Sequence, residues 1–256
     1  MAKIIAVANQ KGGVGKTTTA VNLTASLKAA EQNVLLIDLD PQGSATLACG
    51  MDKHNLVWST NDVLLQDCTF EQACLQAGNG FDLLPANSDL TVAEVTLMSK
   101  EQRESFLLQA LRPVLTRYDY IIIDCPPALN TLTLNAFMAS DSVLIPMQCE
   151  YLAMEGLVAL LDTIKQVQHA LNPRLKLEGI LRTMYDARSR LCADVSKQLL
   201  THFADKVYRT TIPRNVRLAE APSHGLTAIQ YDKNSNGAAA YMVFASELIK
   251  RQEVTV

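Results

Sequence analysis

Apolar residues in this chain fall into short unbroken runs, separated by stretches with three- and four-residue spacing. Ile4-Ile5-Ala6-Val7-Ala8, Val34-Leu35-Leu36-Ile37, Tyr120-Ile121-Ile122-Ile123 and Ser142-Val143-Leu144-Ile145-Pro146 are continuous, and the second and third close on an acid, Asp38 and Asp124. Runs of this length read as strands of a parallel sheet buried on both faces. Residues 81–85 and 176–183 give two more. Ala20, Leu23, Leu27 and Ala30 mark one face of a helix over 16–30, and helices are expected over 89–98, 101–117, 154–171, 193–203 and 238–251. Residues 44–78 carry no clear period, apart from helix starts at Ser59-Thr60-Asn61-Asp62 and Thr69-Phe70-Glu71. Strand–helix alternation with no repeat, linker or low-complexity tract predicts one α/β domain over 1–256, with a mainly parallel twisted sheet and helices on both faces.

Composition narrows the class. With 48% apolar and 19% charged residues the chain can bury a sizeable core, which excludes global disorder. No apolar run approaches the roughly 18–20 residues needed to cross a bilayer. Met1-Ala2-Lys3 leads straight into a strand with no signal peptide, so a cytoplasmic protein is expected. The six cysteines (Cys49, Cys68, Cys74, Cys125, Cys149, Cys192) show neither a C-x-x-C pair nor a zinc or iron–sulfur spacing.

Between the first strand and the first helix lies Gln10-Lys11-Gly12-Gly13-Val14-Gly15-Lys16-Thr17-Thr18. Strand, glycine-rich loop and helix are the context of a phosphate-binding loop, so the domain is expected to be a P-loop NTPase. Glycines let successive backbone N–H groups turn toward an anion, and the helix adds its positive N-terminal end. Gly12, Gly13, Val14, Gly15, Lys16, Thr17 and Thr18 are the predicted nucleotide cradle. Lys16 is set to reach the β- and γ-phosphates of ATP, and the Thr17 hydroxyl to ligate Mg²⁺. The plain pattern asks for glycine at position 10, where this chain has Gln10; it carries instead an extra lysine, Lys11.

Two acidic motifs end strands, where ligands of open α/β sheets bind. In Asp38-Leu39-Asp40-Pro41-Gln42-Gly43, Asp40 is the candidate to orient water for in-line attack, and Asp38 to brace the loop or the outer magnesium shell. Asp124, closing Ile121-Ile122-Ile123, has the Walker B form and is expected to hold Mg²⁺ directly or through water. Either acid alone would read as a strand-end cap.

The lysine-bearing loop resembles the deviant Walker A motif of the ParA/MinD group of ATPases. Together with Asp124-Cys125-Pro126-Pro127, Pro146-Met147-Gln148-Cys149-Glu150 and Ile212-Pro213-Arg214-Asn215-Val216-Arg217-Leu218-Ala219-Glu220-Ala221-Pro222-Ser223-His224-Gly225, in this order, it resembles the ParA/Soj partition ATPases over essentially the whole chain. With the loop starting so early, the short chromosomal (Soj) kind is expected. The resemblance implies a Mg²⁺-dependent ATPase of weak intrinsic turnover. It further implies an ATP-bound homodimer in which Lys11 reaches the nucleotide of the other copy. That dimer would bind double-stranded DNA without sequence preference on the nucleoid, released by a ParB-type activator. Pro213 and Asn215 match positions near the adenine; Arg188 and Arg217 match positions implicated in DNA contact.

Charge distribution leaves DNA binding open. The whole chain is net −3, yet residues 182–217 hold eight basic residues (Arg182, Arg188, Arg190, Lys197, Lys206, Arg209, Arg214, Arg217) against three acids. A local basic zone is what backbone-directed binding needs, though a solvated face gives the same count. Arg188, Arg190, Arg214 and Arg217 are the candidate DNA contacts. The alternative from another class is a MinD-like, membrane-associated positioning ATPase, whose C-terminal helix would lie on lipid. Here the tail pairs Lys250-Arg251 with flanking acids and no bulky aromatic, so no membrane partner is expected.

Overall fold

The computed structural model describes residues 2–78, 80–151 and 153–253. Residues 254–256, the end of the tail considered above as a membrane anchor, lie outside them.

In chain order the strands are β1 (Lys3–Val7), β2 (Val34–Asp38), β3 (Leu75–Gln76), β4 (Asp82–Leu84), β5 (Tyr120–Asp124), β6 (Ser142–Gln148), β7 (Lys176–Tyr185) and β8 (Val207–Pro213). They form one sheet in the order β3-β4-β2-β5-β1-β6-β7-β8. Every pairing is parallel except β3 with β4 at the edge. The helices are α1 (Lys16–Ala29), α2 (Ser44–Ala48), α3 (Thr60–Leu65), α4 (Phe70–Ala73), α5 (Leu90–Leu97), α6 (Phe106–Leu111), α7 (Thr131–Ala139), α8 (Ala153–Ala170), α9 (Arg190–His202), α10 (Val216–Glu220), α11 (Ala228–Tyr231) and α12 (Asn236–Glu253).

The two-residue period of the strands divides the core into two layers. Ile4, Ala6, Leu35, Ile37, Ile121, Ile123, Val143 and Ile145 face α3–α9. Ile5, Val7, Leu36, Ile122, Leu144, Leu181 and Tyr208 face α1, α2 and α10–α12. The doubly covered parallel sheet expected from the unbroken runs is therefore present. Helix α1 is buried far beyond one face, Thr19 through Leu27 without a break. The reason is α12, which packs on its outer side; the Thr19 hydroxyl meets the Tyr241 hydroxyl at 3.0 Å.

The expectation of one helix over 101–117 fails. Residues 101–105 form turns, α6 stops at Leu111, and a short 3₁₀ turn covers Arg112–Val114. Pro113 removes a backbone donor and blocks continuation of the α-helix.

Candidate functional site

The loop after β1 is tied down on both sides. The Asn9 amide donates to the Pro146 carbonyl at 2.8 Å and its carbonyl oxygen accepts from the Lys11 N–H at 3.0 Å. At the far side the Thr183 hydroxyl donates to the Val14 carbonyl at 2.7 Å. Between these anchors the backbone turns through left-handed conformations at Gly13 (φ 73°) and Gly15 (φ 87°), where a side chain would be strained. Gly15 begins α1 without a side-chain cap, so the first helical N–H groups are left facing the loop.

Lys16 crosses this cradle with 8% exposure, its ammonium donating to the Lys11 carbonyl at 3.3 Å. Burial pushes its pKa down, while the carboxylates of Asp124 and Asp40 push the other way.

Asp38 and Asp124 face each other across the β2–β5 pairing, both fully buried. Asp38 is committed to the fold. One of its oxygens accepts from the Thr46 N–H and hydroxyl, both at 2.8 Å, and the other from the Asp40 N–H at 3.2 Å. Burial nonetheless raises its pKa to about 6. Asp124 differs: neither of its oxygens has a hydrogen bond of ordinary geometry. Burial and the Asp38 charge push its pKa well up, opposed by the nearby Thr17 hydroxyl and the Lys16 ammonium. A buried carboxylate without donors beside a hydroxyl fits a cation that is coordinated by oxygen, such as Mg²⁺. Asp40, half-buried at the rim, accepts from the Gln42 N–H at 2.9 Å in a local turn.

Lys11 points out of the loop and pairs with Glu150 of the same chain at 2.5 Å, both side chains about half exposed. The 139-residue separation hides this pair from any local reading of sequence. Beside the loop a cavity of about 180 Å³ is lined by Gly15, Thr18, Ile212, Pro213, Asn215 and Tyr241. Pro213 and Asn215 are thus brought to the phosphate loop. Asn215 also caps α10 through the Leu218 N–H at 3.3 Å. Thr183, which closes both loop and cavity, carries a single signal in the sequence, its place at the end of an expected strand.

The basic zone needs a correction. Arg182 is buried, its guanidinium donating to the Ser196 hydroxyl at 2.7 Å and to the Tyr208 and Arg209 carbonyls at 2.9 and 3.0 Å. It ties α9 and β8 to β7 and adds nothing to the surface charge. Arg188, Arg190, Arg214 and Arg217 are exposed and gather past the paired ends of β7 and β8. Arg188 grips Asp186 at 3.1 Å, and Arg217 meets Glu220 at 2.8 Å and Asp232 at 3.5 Å. Arg188, followed by Arg214, holds the Asp186 carboxyl below its usual range.

A family model described as "AAA domain" matches residues 2–177. The sporulation initiation inhibitor protein Soj of Bacillus subtilis is 50% identical over 249 residues, 97% of this chain and 98% of that one. The chromosome partitioning protein ParA of Myxococcus xanthus is 48% identical over 250 residues, 97% of this chain and 88% of that one. Among solved structures, cobyrinic acid a,c-diamide synthase from Mycobacterium smegmatis with bound ATP analog and magnesium superposes with a TM-score of 0.86 at 39% identity, covering 100% of this chain and 98% of that one.

Proposed function

The chain belongs to the ParA/Soj family of partitioning ATPases, and on that premise we propose that it hydrolyses ATP with Mg²⁺, pairs with a second copy when ATP is bound, and then holds double-stranded DNA without sequence preference. The observation that carries this reading is the buried Asp124 carboxylate, without a hydrogen bond of ordinary geometry, beside a glycine loop already turned to receive phosphate.

In this reading the loop N–H groups and the start of α1 hold the phosphates, and Lys16 neutralises charge at the β–γ bridge. Thr17 and Asp124 would hold Mg²⁺, braced by Asp38, where the ion would supply charge neutralisation for the phosphates. Asp40 orients the attacking water in line with the bond to be broken. Pro213 and Asn215 close the adenine side through the adjoining cavity.

Lys11 serves the second copy's nucleotide, and to do so it must leave Glu150. An exposed ion pair of this kind contributes about 0–1 kcal/mol, so a polyphosphate readily outcompetes it. Arg188, Arg190, Arg214 and Arg217 supply the DNA contacts. Asp186 beside Arg188, and Glu220 and Asp232 beside Arg217, make one copy a poor binder, and pairing two copies raises effective concentration. A ParB-type activator would release the complex by stimulating hydrolysis, placing the ATP state on the nucleoid and the rest in the cytoplasm.

The membrane alternative would need α12 to lay an apolar face on lipid, yet Tyr241, Phe244 and Leu248 of that helix are buried in the core. Co-sedimentation with duplex DNA and, separately, with anionic liposomes, each with ATP and with ADP, tests the proposal. DNA pelleting with ATP alone is expected. Liposome pelleting without DNA pelleting would replace the reading.

A further inference from the structure

At the end of the sheet opposite the phosphate loop, where β1, β7 and β8 begin, lies a recess of about 800 Å³. Six cations stand around it: Lys3, Lys176, Lys206, Arg209, Lys250 and Arg251. The acids in its wall are Glu178, Asp205 and Glu247. Two of them are already saturated. Glu178 accepts from the Ser142 hydroxyl, the Tyr208 hydroxyl, the Gln252 amide and the Lys3 ammonium. Glu247 accepts from the Arg209 and Thr210 N–H groups, the Thr210 hydroxyl and Arg251. Lys250 and Arg251 offset the negative end of α12. No such duty falls on Lys176, Lys206 or the Arg209 guanidinium; all three are exposed and form no ion pair among the described residues.

We propose that this recess is a second anion site, taking a compact, multiply phosphorylated small molecule. Three unpaired cations against one unpaired acid, Asp205, converging on one concavity of a net-negative protein, form a local potential well for a polyanion. The volume lies within the roughly 300–1,000 Å³ of small-molecule sites. A duplex, by contrast, presents phosphates on a convex cylinder and engages cations that protrude, as Arg188 does. Leu177, Leu200 and Val207 give the recess an apolar side as well. The five residues of β1 separate it from the phosphate loop by about 17 Å. Occupancy therefore does not compete with nucleotide.

Calorimetric titration with inorganic tripolyphosphate at low ionic strength tests the assignment without requiring ATP turnover. The Lys16→Ala chain, whose phosphate loop is disabled, should still bind one tripolyphosphate. In the same background, Lys176→Gln with Lys206→Gln should weaken binding about tenfold or more, with an unchanged far-UV spectrum. Arg188→Gln with Arg214→Gln should leave it unchanged. Loss of binding in Lys16→Ala alone would return the anion to the phosphate loop. Undiminished binding after both lysine changes, or an effect of those changes on duplex DNA pelleting only, would overturn the proposal.

Discussion

At the carboxyl end of the strands the Asp124 carboxylate is buried with neither oxygen hydrogen-bonded, whereas at the amino end the carboxylates of Glu178 and Glu247 each collect four donors. Both ends belong to one sheet: Asp124 closes β5, Glu178 lies early in β7, and Glu247 reaches β8 from α12. The contrast lies in what their polar groups are left to do. A buried acid with only the Thr17 hydroxyl nearby is costly in isolation and suits a cation; an acid with four donors stabilises its own surroundings and has little left to offer. In an open parallel sheet ligands gather at the carboxyl ends, and the distribution of unsatisfied groups follows that rule.

Lys16 carries the largest expected effect. If the carboxyl end is built for phosphate, Lys16→Ala removes the main counter-charge and should abolish measurable ATP binding and turnover, a loss of about 10³-fold or more. Equilibrium binding of a fluorescent ATP analogue checks it, and unchanged affinity would sink the assignment. A smaller effect is expected at Asp40, which touches the site only at its rim. Asp40→Ala should retain nucleotide and lower hydrolysis about 10²-fold, leaving an ATP-bound dimer. Near-normal turnover would make Asp40 a turn residue, its Gln42 bond the whole of its role.

How much of this was legible in the chain depends on sequence distance. The loop, Asp38, Asp40 and Asp124 are local motifs at strand ends, and apolar runs place those ends reliably. Strand β8 leaves no readable period because its residues alternate irregularly between buried and exposed, and its register with β7 shifts twice. Arg182 reads as surface charge because nothing nearby in sequence reveals Ser196 or the Tyr208 carbonyl as its partners. The Lys11–Glu150 pair and the basic recess are assembled from residues far apart in the chain. Only the fold brings them together.

Lys11 sharpens the contrast between what one chain completes and what two must. Lys11→Ala should bind ATP within about threefold of the parent, since its ammonium faces Glu150 and not the cradle. It should nevertheless stay monomeric with ATP when sized by light scattering. A normal ATP dimer would confine Lys11 to its ion pair. The exposed arginines come next in size. Arg188→Glu should weaken DNA pelleting about tenfold at moderate salt, and Arg217→Glu similarly, with ATP-dependent pairing preserved. Full DNA binding by both variants would place the interface elsewhere.

The smallest expected effect lies at the amino end, and it is a test of stability alone. Burial by itself would raise the pKa of Glu247, but the N–H groups of Thr210 and Arg209, the Thr210 hydroxyl and Arg251 together hold it below its ordinary value of 4.5. The folded chain therefore favours the ionised form more than the unfolded chain does. Glu247 contributes stability that is fully present above pH 4.5 and is lost as pH falls through its lower folded value. Because the group is partly open to solvent, the contribution is about 1 kcal/mol, or about 2–4 °C in melting temperature. Glu247→Gln should lower the melting temperature by that amount at pH 7, and the gap to the parent should close as pH falls below 4.5 through the lower folded value. ATP turnover at 25 °C should be unaffected, since the residue sits at the far end of the strands from Lys16. A gap that persists unchanged into acid would mean that the carboxylate charge is not what holds α12 to β8. A fall in turnover without a fall in melting temperature would mean that the two ends of the sheet are coupled.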